Sequence, residues 1–244
     1  MSQGTIRQIL LITDGCSNVG EDPSAIAALA KEQGITVNVI GVVENDQIGA
    51  QGIAEIEAIA QAGGGFSRIV YAKDLSKTVQ MVTRQAMTQT IYGVVNRELT
   101  QIFGEEKEID DLPPDKRGEV IEVVDELGET LTLEVCILVD TSASMKHKLP
   151  TVKESLVDLS LSMQARVGDN AFSVLAFPGK RRDSEKLLDW TPKIDDLTSI
   201  FHKLTPGGVT PTGPALRDAM NMFSKRRSKR RWLRDDAYNE ESSS

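Results

Sequence analysis

Residues 135–145 read VCILVDTSASM and combine a buried-strand pattern with a cluster of oxygen-bearing side chains. The first part, VCILV, is a continuous aliphatic run, which is typical of a strand covered on both faces of a parallel sheet. In the part that follows, Asp140, Ser142 and Ser144 stand on alternate residues. Because a chain that leaves a strand can turn alternate side chains toward one point, we expect these three to face a common ligand. Helix capping by Ser142 or Ser144 is the alternative interpretation when this motif is taken alone.

Strand and helix patterns alternate on both sides of this stretch. Apolar or β-branched runs predict strands at residues 8–13, 35–43, 66–71, 135–139, 171–177 and 186–190. Amphipathic patterns between them predict helices, one of them at residues 194–204. Strands that alternate with helices indicate an α/β fold with a Rossmann-like, open and mostly parallel central sheet that is covered by helices on both faces.

The middle of the chain departs from this alternation. Residues 104–117 are charged and contain a pair of prolines, so we expect a linker there. Asp110 and Asp111 within it are expected to be solvated charges and not a catalytic pair. The valine-rich segments 120–124 and 131–139, separated by DELGE, predict a β-hairpin extension whose second arm continues into the buried VCILV strand.

Composition narrows the class of protein. The chain has 244 residues, of which 40% are hydrophobic and 26% charged, as is ordinary for a folded soluble domain. Its longest run of Ile, Leu and Val residues, Ile9–Ile12, is far shorter than the about 20 apolar residues of a membrane helix or the about 7 to 15 of a signal-peptide core. We therefore expect a cytoplasmic location without membrane insertion. Cys16 and Cys136 are then expected to be two reduced thiols.

The net charge of −8 hides an uneven distribution. Residues 225–234 (KRRSKRRWLR) contain seven basic and no acidic side chains, whereas the rest of the chain has 21 basic against 36 acidic side chains. This acidic body argues against a nucleic-acid interface spread over the domain. The basic run itself has two interpretations. It can contact an acidic partner, a nucleic acid or an anionic membrane surface, or it can be a solvated helix end whose charges complement the helix dipole.

Two further loops carry oxygen ligands beside predicted strands or helices. Asp14 follows the strand at residues 8–13, in the sequence TDG, while Thr210 and Thr212 lie in GGVTPTG ahead of the last helix. Since the carboxyl ends of parallel strands meet at one edge of an open α/β sheet, these side chains can converge with those at 140–144. Carboxylate and hydroxyl oxygens without His or Cys favour a hard cation such as Mg²⁺.

Together, DTSASM after VCILV, GGVTPTGPAL and LLITDG resemble the three motifs of the von Willebrand factor A domain. The resemblance implies a metal-ion-dependent adhesion site with its metal positions at Asp14, Asp140, Ser142, Ser144 and Thr210. Thr212 stays open as the alternative to Thr210. The family further implies that the hydroxyls bind Mg²⁺ directly, with Mn²⁺ as a substitute. At least one aspartate would act through water, and an acidic side chain of a partner protein would complete the coordination.

On this basis we expect a protein-binding module and not an enzyme. Intracellular bacterial relatives of the family often work beside AAA+ ATPases, and this resemblance suggests a partner of that kind. A metal-assisted hydrolase that uses the same cation and an adaptor that binds no metal are the alternatives. No nucleophile elbow surrounds Ser144, so His147 is expected to be a surface histidine. The glycines at 63–65 and 207–208 match no phosphate-binding loop.

The order of the motifs differs from that of the family, in which D-x-S-x-S comes first and T-D-G last. Here residues 1–103 carry T-D-G and residues 132–224 carry the other two motifs. A linker and hairpin arm at 104–131 would join these halves, and a basic, then polar tail would occupy 225–244. Placing 1–103 after 224 restores the usual order, so we interpret the chain as one circularly permuted domain. The alternative is a domain-swapped homodimer in which two chains complete each other.

Overall fold

A six-stranded sheet lies at the centre of the computed structural model, which describes residues 4–44, 48–103, 108–195 and 208–241, the side chains of the last segment up to Lys229. The strands are β1 (Thr5–Thr13), β2 (Ile35–Val43), β3 (Gly64–Tyr71), β4 (Thr132–Asp140), β5 (Asn170–Phe177) and β6 (Glu185–Thr191). The helices are α1 (Pro23–Glu32), α2 (Ala50–Ala62), α3 (Leu75–Phe103), α4 (Pro114–Thr130), α5 (Leu149–Met163) and α6 (Thr212–Glu241). Short 3₁₀ turns lie at Ala72–Asp74, Ile109–Asp111 and Ala143–Met145.

The strand order in the sheet is β3-β2-β1-β4-β5-β6. Neighbouring strands run parallel, except that β6 is antiparallel to β5 at one edge. β1 and β4 form the central pair, in which Ile12 is the register partner of Val139. The predicted α/β fold with an open, mostly parallel sheet is confirmed, and the strand predicted at 186–190 is the antiparallel edge strand.

Alternate residues of the central strands point to opposite faces of the sheet and build two apolar layers. On one face, Leu10 and Ile137 pack with side chains from α3, α4 and α5. On the other face, Ile9 and Leu138 pack with side chains from α1, α2 and α6. Because both faces are covered, the second halves of β1 and β4 are continuously apolar, with ILLI at residues 9–12 and VCILV at residues 135–139. The loops that carry the polar motifs start where these two well-packed strands end.

The hairpin arm predicted at residues 120–124 is wrong, because these residues lie within α4. Val120, Val124 and Leu127 recur at helical spacing and pack against the core. Val123 is 50% exposed, so the β-branched run lies partly on the solvent side of a helix and does not form the face of a strand. A proline at the first helical position favours the start of the helix.

The segment predicted as a linker contains more regular structure than expected. Ile109–Asp111 forms a 3₁₀ turn, and α4 begins soon after it. Asp110 and Asp111 are exposed, as expected. Residues 104–107 lie outside the described residues, as does the helix predicted at 194–204 from residue 196 onward.

The end of α4 is joined to the sheet by Arg166, which is only 5% exposed. Its guanidinium donates to the carbonyls of Gly128, over 2.9 Å, and Leu131, over 2.5 Å, and to the Asn170 side-chain oxygen, over 2.6 Å. Charge-assisted hydrogen bonds of this kind satisfy carbonyls that the end of a helix leaves without partners. Arg166 therefore fixes the junction at which α4 passes into the central strand β4.

Both cysteines are free, with Cys16 half-buried and Cys136 buried. Burial raises the pKa of the Cys136 thiol. None of the helices described has both the length and the apolar character that crossing a membrane requires.

Candidate metal site

The loops that follow β1 and β4 start side by side at the carboxyl edge of the sheet, because these strands are parallel neighbours. Thr13 is the last residue of β1, and Asp140 is the last residue of β4. The Thr13 hydroxyl donates to Oδ2 of Asp140 over 2.7 Å, although the two residues are 127 positions apart in the sequence. The T-D-G and D-x-S-x-S motifs therefore meet within one chain.

Asp140 is a buried carboxylate with 1% exposure. Its Oδ1 accepts a 2.8 Å hydrogen bond from the backbone N–H of Ser142, which fixes the turn after the strand. Burial raises the pKa of Asp140 above its ordinary value and outweighs the hydrogen bonds from Ser142 and Thr13, which lower it; the charge of Asp14 raises it further. A cation beside this carboxylate would offset the cost of burying its negative charge.

The two serines connect Asp140 with Asp14. The Ser144 hydroxyl donates to Oδ1 of Asp14 over 2.8 Å, and the hydroxyl oxygens of Ser142 and Ser144 are 3.1 Å apart. The second oxygen of Asp14, Oδ2, accepts from the Lys148 ammonium group over 2.5 Å. The Asp14 and Lys148 side chains are 3% and 12% exposed, so this ion pair is largely buried. Asp14, Asp140, Ser142 and Ser144 thus lie in one hydrogen-bonded cluster.

Thr210, the fifth predicted residue, is docked onto the loop that follows Asp14. Its backbone N–H donates to Oδ1 of Asn18 over 2.8 Å. Its carbonyl accepts from the Asn18 backbone N–H and from the Ser17 hydroxyl, each over 3.2 Å. Thr210 and Thr212 are both buried, and the Thr212 N–H donates to the Thr210 carbonyl over 3.0 Å. Thr210 is therefore the threonine that is tied directly to the Asp14 loop.

A close contact further along holds the same two loops together. Gly213 lies so near the backbone of Glu21 that a Cβ atom at this position would collide with the Glu21 carbonyl. Arg217, one turn into α6, donates to both carboxylate oxygens of Glu21 over 2.7 Å. The start of α6 is thus positioned against the loop between β1 and α1, which places the threonine motif at the carboxyl edge of the sheet.

The donor atoms fit a hard divalent cation. The cluster offers two carboxylates and two serine hydroxyls, to which the prediction adds the hydroxyl of Thr210, and such all-oxygen sets suit Mg²⁺ or Mn²⁺. In the part of the chain that is described, no three His, Cys, Asp or Glu side chains group to hold a metal. The charges agree with this assignment. Lys148 pairs with Asp14, whereas Asp140 has no cationic partner among the described residues, so one buried negative charge is left for a cation to balance.

Three residues that shape the cluster were missed in the sequence. Thr13 precedes Asp14 directly, and its hydroxyl orients Asp140. Lys148 lies four residues after Ser144, a spacing at which it could have been connected with the motif. The contact between Asn18 and Thr210 has no local signal, because it joins positions 192 residues apart.

A parallel open sheet whose two central strands end in a cluster of carboxylates and hydroxyls defines a domain of the von Willebrand factor A type. Comparison with family models agrees with this assignment. One model of the von Willebrand factor type A domain matches residues 135–234, and a second model of this domain matches residues 2–85. The chain belongs to this family. The circular permutation inferred from the order of the motifs stays a prediction.

Two similar proteins were found that match nearly the whole chain. The uncharacterized protein YabS of Bacillus subtilis (strain 168) is 61% identical over 236 residues, which are 97% of this chain and 96% of that protein. A crystal structure of an uncharacterized protein from Alicyclobacillus acidocaldarius subsp. acidocaldarius DSM 446 superposes with a TM-score of 0.85 at 44% identity. It covers 92% of this chain and 96% of the other.

Proposed function

We propose that this protein is a metal-ion-dependent protein-binding module, whose Mg²⁺ site accepts an acidic side chain from a partner protein. The observation that carries the proposal is the cluster in which the Ser144 hydroxyl lies 2.8 Å from Asp14 and 3.1 Å from the Ser142 hydroxyl. Asp140 completes the cluster through the backbone of Ser142. Membership of the von Willebrand factor A family supports the same role.

The side chains divide into ligands and supports. Ser142, Ser144 and Thr210 would bind the cation through neutral hydroxyls, and at least one of the two aspartates would act through water. Bound Mg²⁺ would supply positive charge that neutral ligands do not cancel, which favours a carboxylate as the remaining ligand. Thr13 supports the site by holding the buried Asp140 carboxylate.

We propose binding without catalysis. A metal-assisted hydrolase needs a general base beside the cation, and the two carboxylates at the site already accept hydrogen bonds from neighbouring residues. His147 is exposed, whereas His202 lies outside the described residues. A phosphatase and esterase screen with Mg²⁺ and Mn²⁺ separates the two classes, because turnover that disappears in Asp140→Ala would favour the enzyme.

The partner and the context follow from the family resemblance. We propose a cytoplasmic location and a partner protein with an exposed carboxylate, of which an AAA+ ATPase is the leading candidate. One chain brings the two aspartates of the site together, so a circularly permuted monomer is the simpler arrangement, and the domain-swapped homodimer is the alternative. Light scattering of the purified protein distinguishes a monomer from a dimer.

The test of the proposal combines metal binding with partner capture. Because a ligand that binds only the folded state stabilises it, saturating Mg²⁺ should raise the melting temperature of the wild type. Asp140→Ala and Ser142→Ala should remove this rise, whereas the control Asp125→Ala, an exposed carboxylate of α4, should keep it. Affinity capture from lysate, with Mg²⁺ or with chelator, should recover a partner only with wild type and Mg²⁺. Calorimetry without any Mg²⁺ or Mn²⁺ binding at millimolar concentration would favour the metal-free adaptor.

A further inference from the structure

Two adjoining clefts lie between the connection from β5 to β6 and the outer face of α6. Their volumes are about 700 Å³ and 470 Å³, and they share Arg182, Ser184 and Lys186. We refer to them together as the basic groove. Its described lining includes six exposed cationic side chains: Lys180, Arg181, Arg182, Lys186, Lys225 and Lys229. Three carboxylates, those of Glu185, Asp189 and Asp218, also line it. The groove is thus positively charged in a chain whose net charge is −8.

The loop from Phe177 to Ser184 is built to present its basic residues. The Gly179 N–H donates to the Asp183 carbonyl over 3.2 Å and closes a tight turn. A Cβ on Gly179 would lie 2.8 Å from backbone atoms of Arg182 and Ser184, so the turn has room only for glycine. Lys180, Arg181 and Arg182 therefore stand at the tip of a short, closely packed loop.

The second wall of the groove is one face of α6. Asp218, Met222, Lys225 and Lys229 line it at intervals of three or four residues, which places them on the same side of a helix. The Ser184 hydroxyl donates to Oδ2 of Asp218 over 2.7 Å and ties the loop to this helix face. The two basic segments are far apart in the sequence, and the fold brings them to opposite sides of one groove.

Most of the positive charge in the groove is not neutralised by the protein itself. Lys186 pairs with Asp189 over 3.0 Å. The side chains of Lys180, Arg181, Arg182 and Lys225 form no ion pair or hydrogen bond with any residue that the structure describes. The positive charge of the groove also acts on Asp189. The pKa of this carboxyl is lowered first by its hydrogen bond with Lys186 and additionally by the charge of Lys229. Clustered like charges repel one another, so an anion bound between them would be favourable.

The basic groove starts at the same edge of the sheet as the candidate metal site. Asp140 and Phe177 are register partners at the ends of β4 and β5. The Thr141 N–H donates to the Phe177 carbonyl over 2.7 Å, and Phe177 is the first residue of the loop that carries Lys180, Arg181 and Arg182. The other wall, α6, begins at Thr212, two residues after Thr210. A chain that reaches the metal site can therefore continue into the groove.

We propose that the basic groove binds an acidic segment of the partner protein, on the same chain as the carboxylate that binds at the metal site. The binding of an acidic segment is inferred from the charge of the groove alone. Only the link to the metal-bound carboxylate rests on the function proposed above. The segment needs several Asp or Glu residues, because the cations are spread over both walls. Specificity arises from charge complementarity along an extended chain and not from a deep pocket.

The groove favours an acidic peptide over a nucleic acid. Single-stranded nucleic acids bind through open aromatic faces that stack with bases. Trp190 is the only aromatic side chain among the described residues of the groove. Its ring packs against Phe223 at 5.0 Å between centroids, and the Arg226 guanidinium lies 4.8 Å from the ring centroid. Arg226 also pairs with the buried Glu134 over 2.8 Å, which keeps it in that place.

The test measures fluorescence anisotropy of a labelled Glu- and Asp-rich peptide of about 12 residues, which spans about 40 Å when extended. Titrations are made with the full chain at about 0.1 M salt, in Mg²⁺ and in chelator. The double variant Lys225→Glu/Lys229→Glu should bind the peptide about tenfold or more weakly in both buffers, since it reverses two charges in the groove. The control Lys77→Glu/Lys116→Glu changes exposed lysines of α3 and α4, on the opposite face of the sheet, and should bind as the wild type does.

The outcomes separate the groove from the metal site. Binding that is lost in the Lys225/Lys229 variant but is unaffected by Mg²⁺ and by Asp140→Ala would support the groove and contradict the metal-dependent function. Mg²⁺-dependent peptide binding that is unchanged in the Lys225/Lys229 variant would overturn the proposal for the groove and would leave the metal-dependent function standing. If a single-stranded oligonucleotide displaces the labelled peptide at a lower concentration than unlabelled peptide does, the groove prefers a nucleic acid. This result would overturn the proposal of an acidic peptide segment. If the charge-reversed variant unfolds, Lys225→Ala/Lys229→Ala gives the same comparison, and wild-type affinity in it counts against the groove.

Discussion

The Lys148→Met substitution tests how the ion pair at Asp14 is coupled to metal binding. Methionine keeps much of the length and apolar surface of lysine and removes the charge. Without metal, the variant leaves the largely buried Asp14 carboxylate with the Ser144 hydroxyl as its remaining described side-chain donor. Removing one partner of a buried ion pair costs about 3–5 kcal/mol. Because the Lys148 side chain is still 12% exposed, we expect a cost at the lower end of this range, about 3 kcal/mol.

Mg²⁺ should restore most of this loss, because the cation supplies positive charge to the same carboxylate. If about 1 kcal/mol of the loss remains in the metal-bound state, the coupling between Lys148 and the metal is about 2 kcal/mol. This corresponds to Mg²⁺ binding that is about 30-fold tighter in the variant than in the wild type. The lysine would thus stabilise the metal-free protein and oppose the cation.

Urea unfolding in chelator and in saturating Mg²⁺ gives the two free energies, and titration calorimetry gives the Mg²⁺ affinities. The matched control is Lys116→Met, which removes a lysine whose ion pair with Glu119 is 59% and 66% exposed. Such surface pairs contribute about 0–1 kcal/mol, so neither quantity should change appreciably. Unchanged stability of Lys148→Met in chelator, or Mg²⁺ binding no tighter than in the wild type, would refute the reasoning.

Three further substitutions test the site and its supports. Burial raises the pKa of Asp140, so the fold holds the proton more tightly than the unfolded chain, and stability falls as the pH rises above the ordinary value of 3.8. Asp140→Asn should therefore be more stable than the wild type in chelator at neutral pH, and should gain no stability from Mg²⁺ in thermal unfolding. Gly213→Ala should weaken Mg²⁺ binding in calorimetry, because its Cβ collides with the Glu21 carbonyl, whereas a Cβ on Gly208 meets no atom within 4 Å and Gly208→Ala should bind normally. Arg166→Met should lower the free energy of unfolding by about 2–4 kcal/mol, since it leaves buried acceptors without donors, while the Mg²⁺ affinity of the folded protein stays that of the wild type.

The sequence was a good guide to the central strands and a poor one to α4. The aliphatic runs of β1 and β4 are buried on both faces of the sheet, so consecutive apolar residues in the sequence identify them as strands. Val120 and Val124 have the same β-branched character but pack on the core from a helix. Tertiary packing decided that this segment is a helix. The β propensity of a residue reflects how well its side chain fits a half-buried sheet surface more than a preference of the backbone.

The candidate site also combines features that the sequence predicts with features that only the folded chain reveals. The kinds of side chain in DTSAS, TDG and TPTG already predicted an oxygen site at one edge of the sheet, because ends of parallel strands converge there. The role of Lys148 as a counter-charge and the clamp between Asn18 and Thr210 followed only from the folded chain. Pairings of this kind depend on side-chain directions after a turn, which spacing along the sequence does not give.

By itself, the sequence determined the order of the strands along the chain, the two-sided burial of the central ones and the oxygen chemistry of the three motifs. Only the tertiary structure decided which groups meet. Asp14 and Ser144 lie 130 positions apart and share a hydrogen bond, and two distant basic segments line one groove. Local patterns follow from the residues that carry them, whereas contacts between distant segments depend on how the strands are arranged side by side in the sheet.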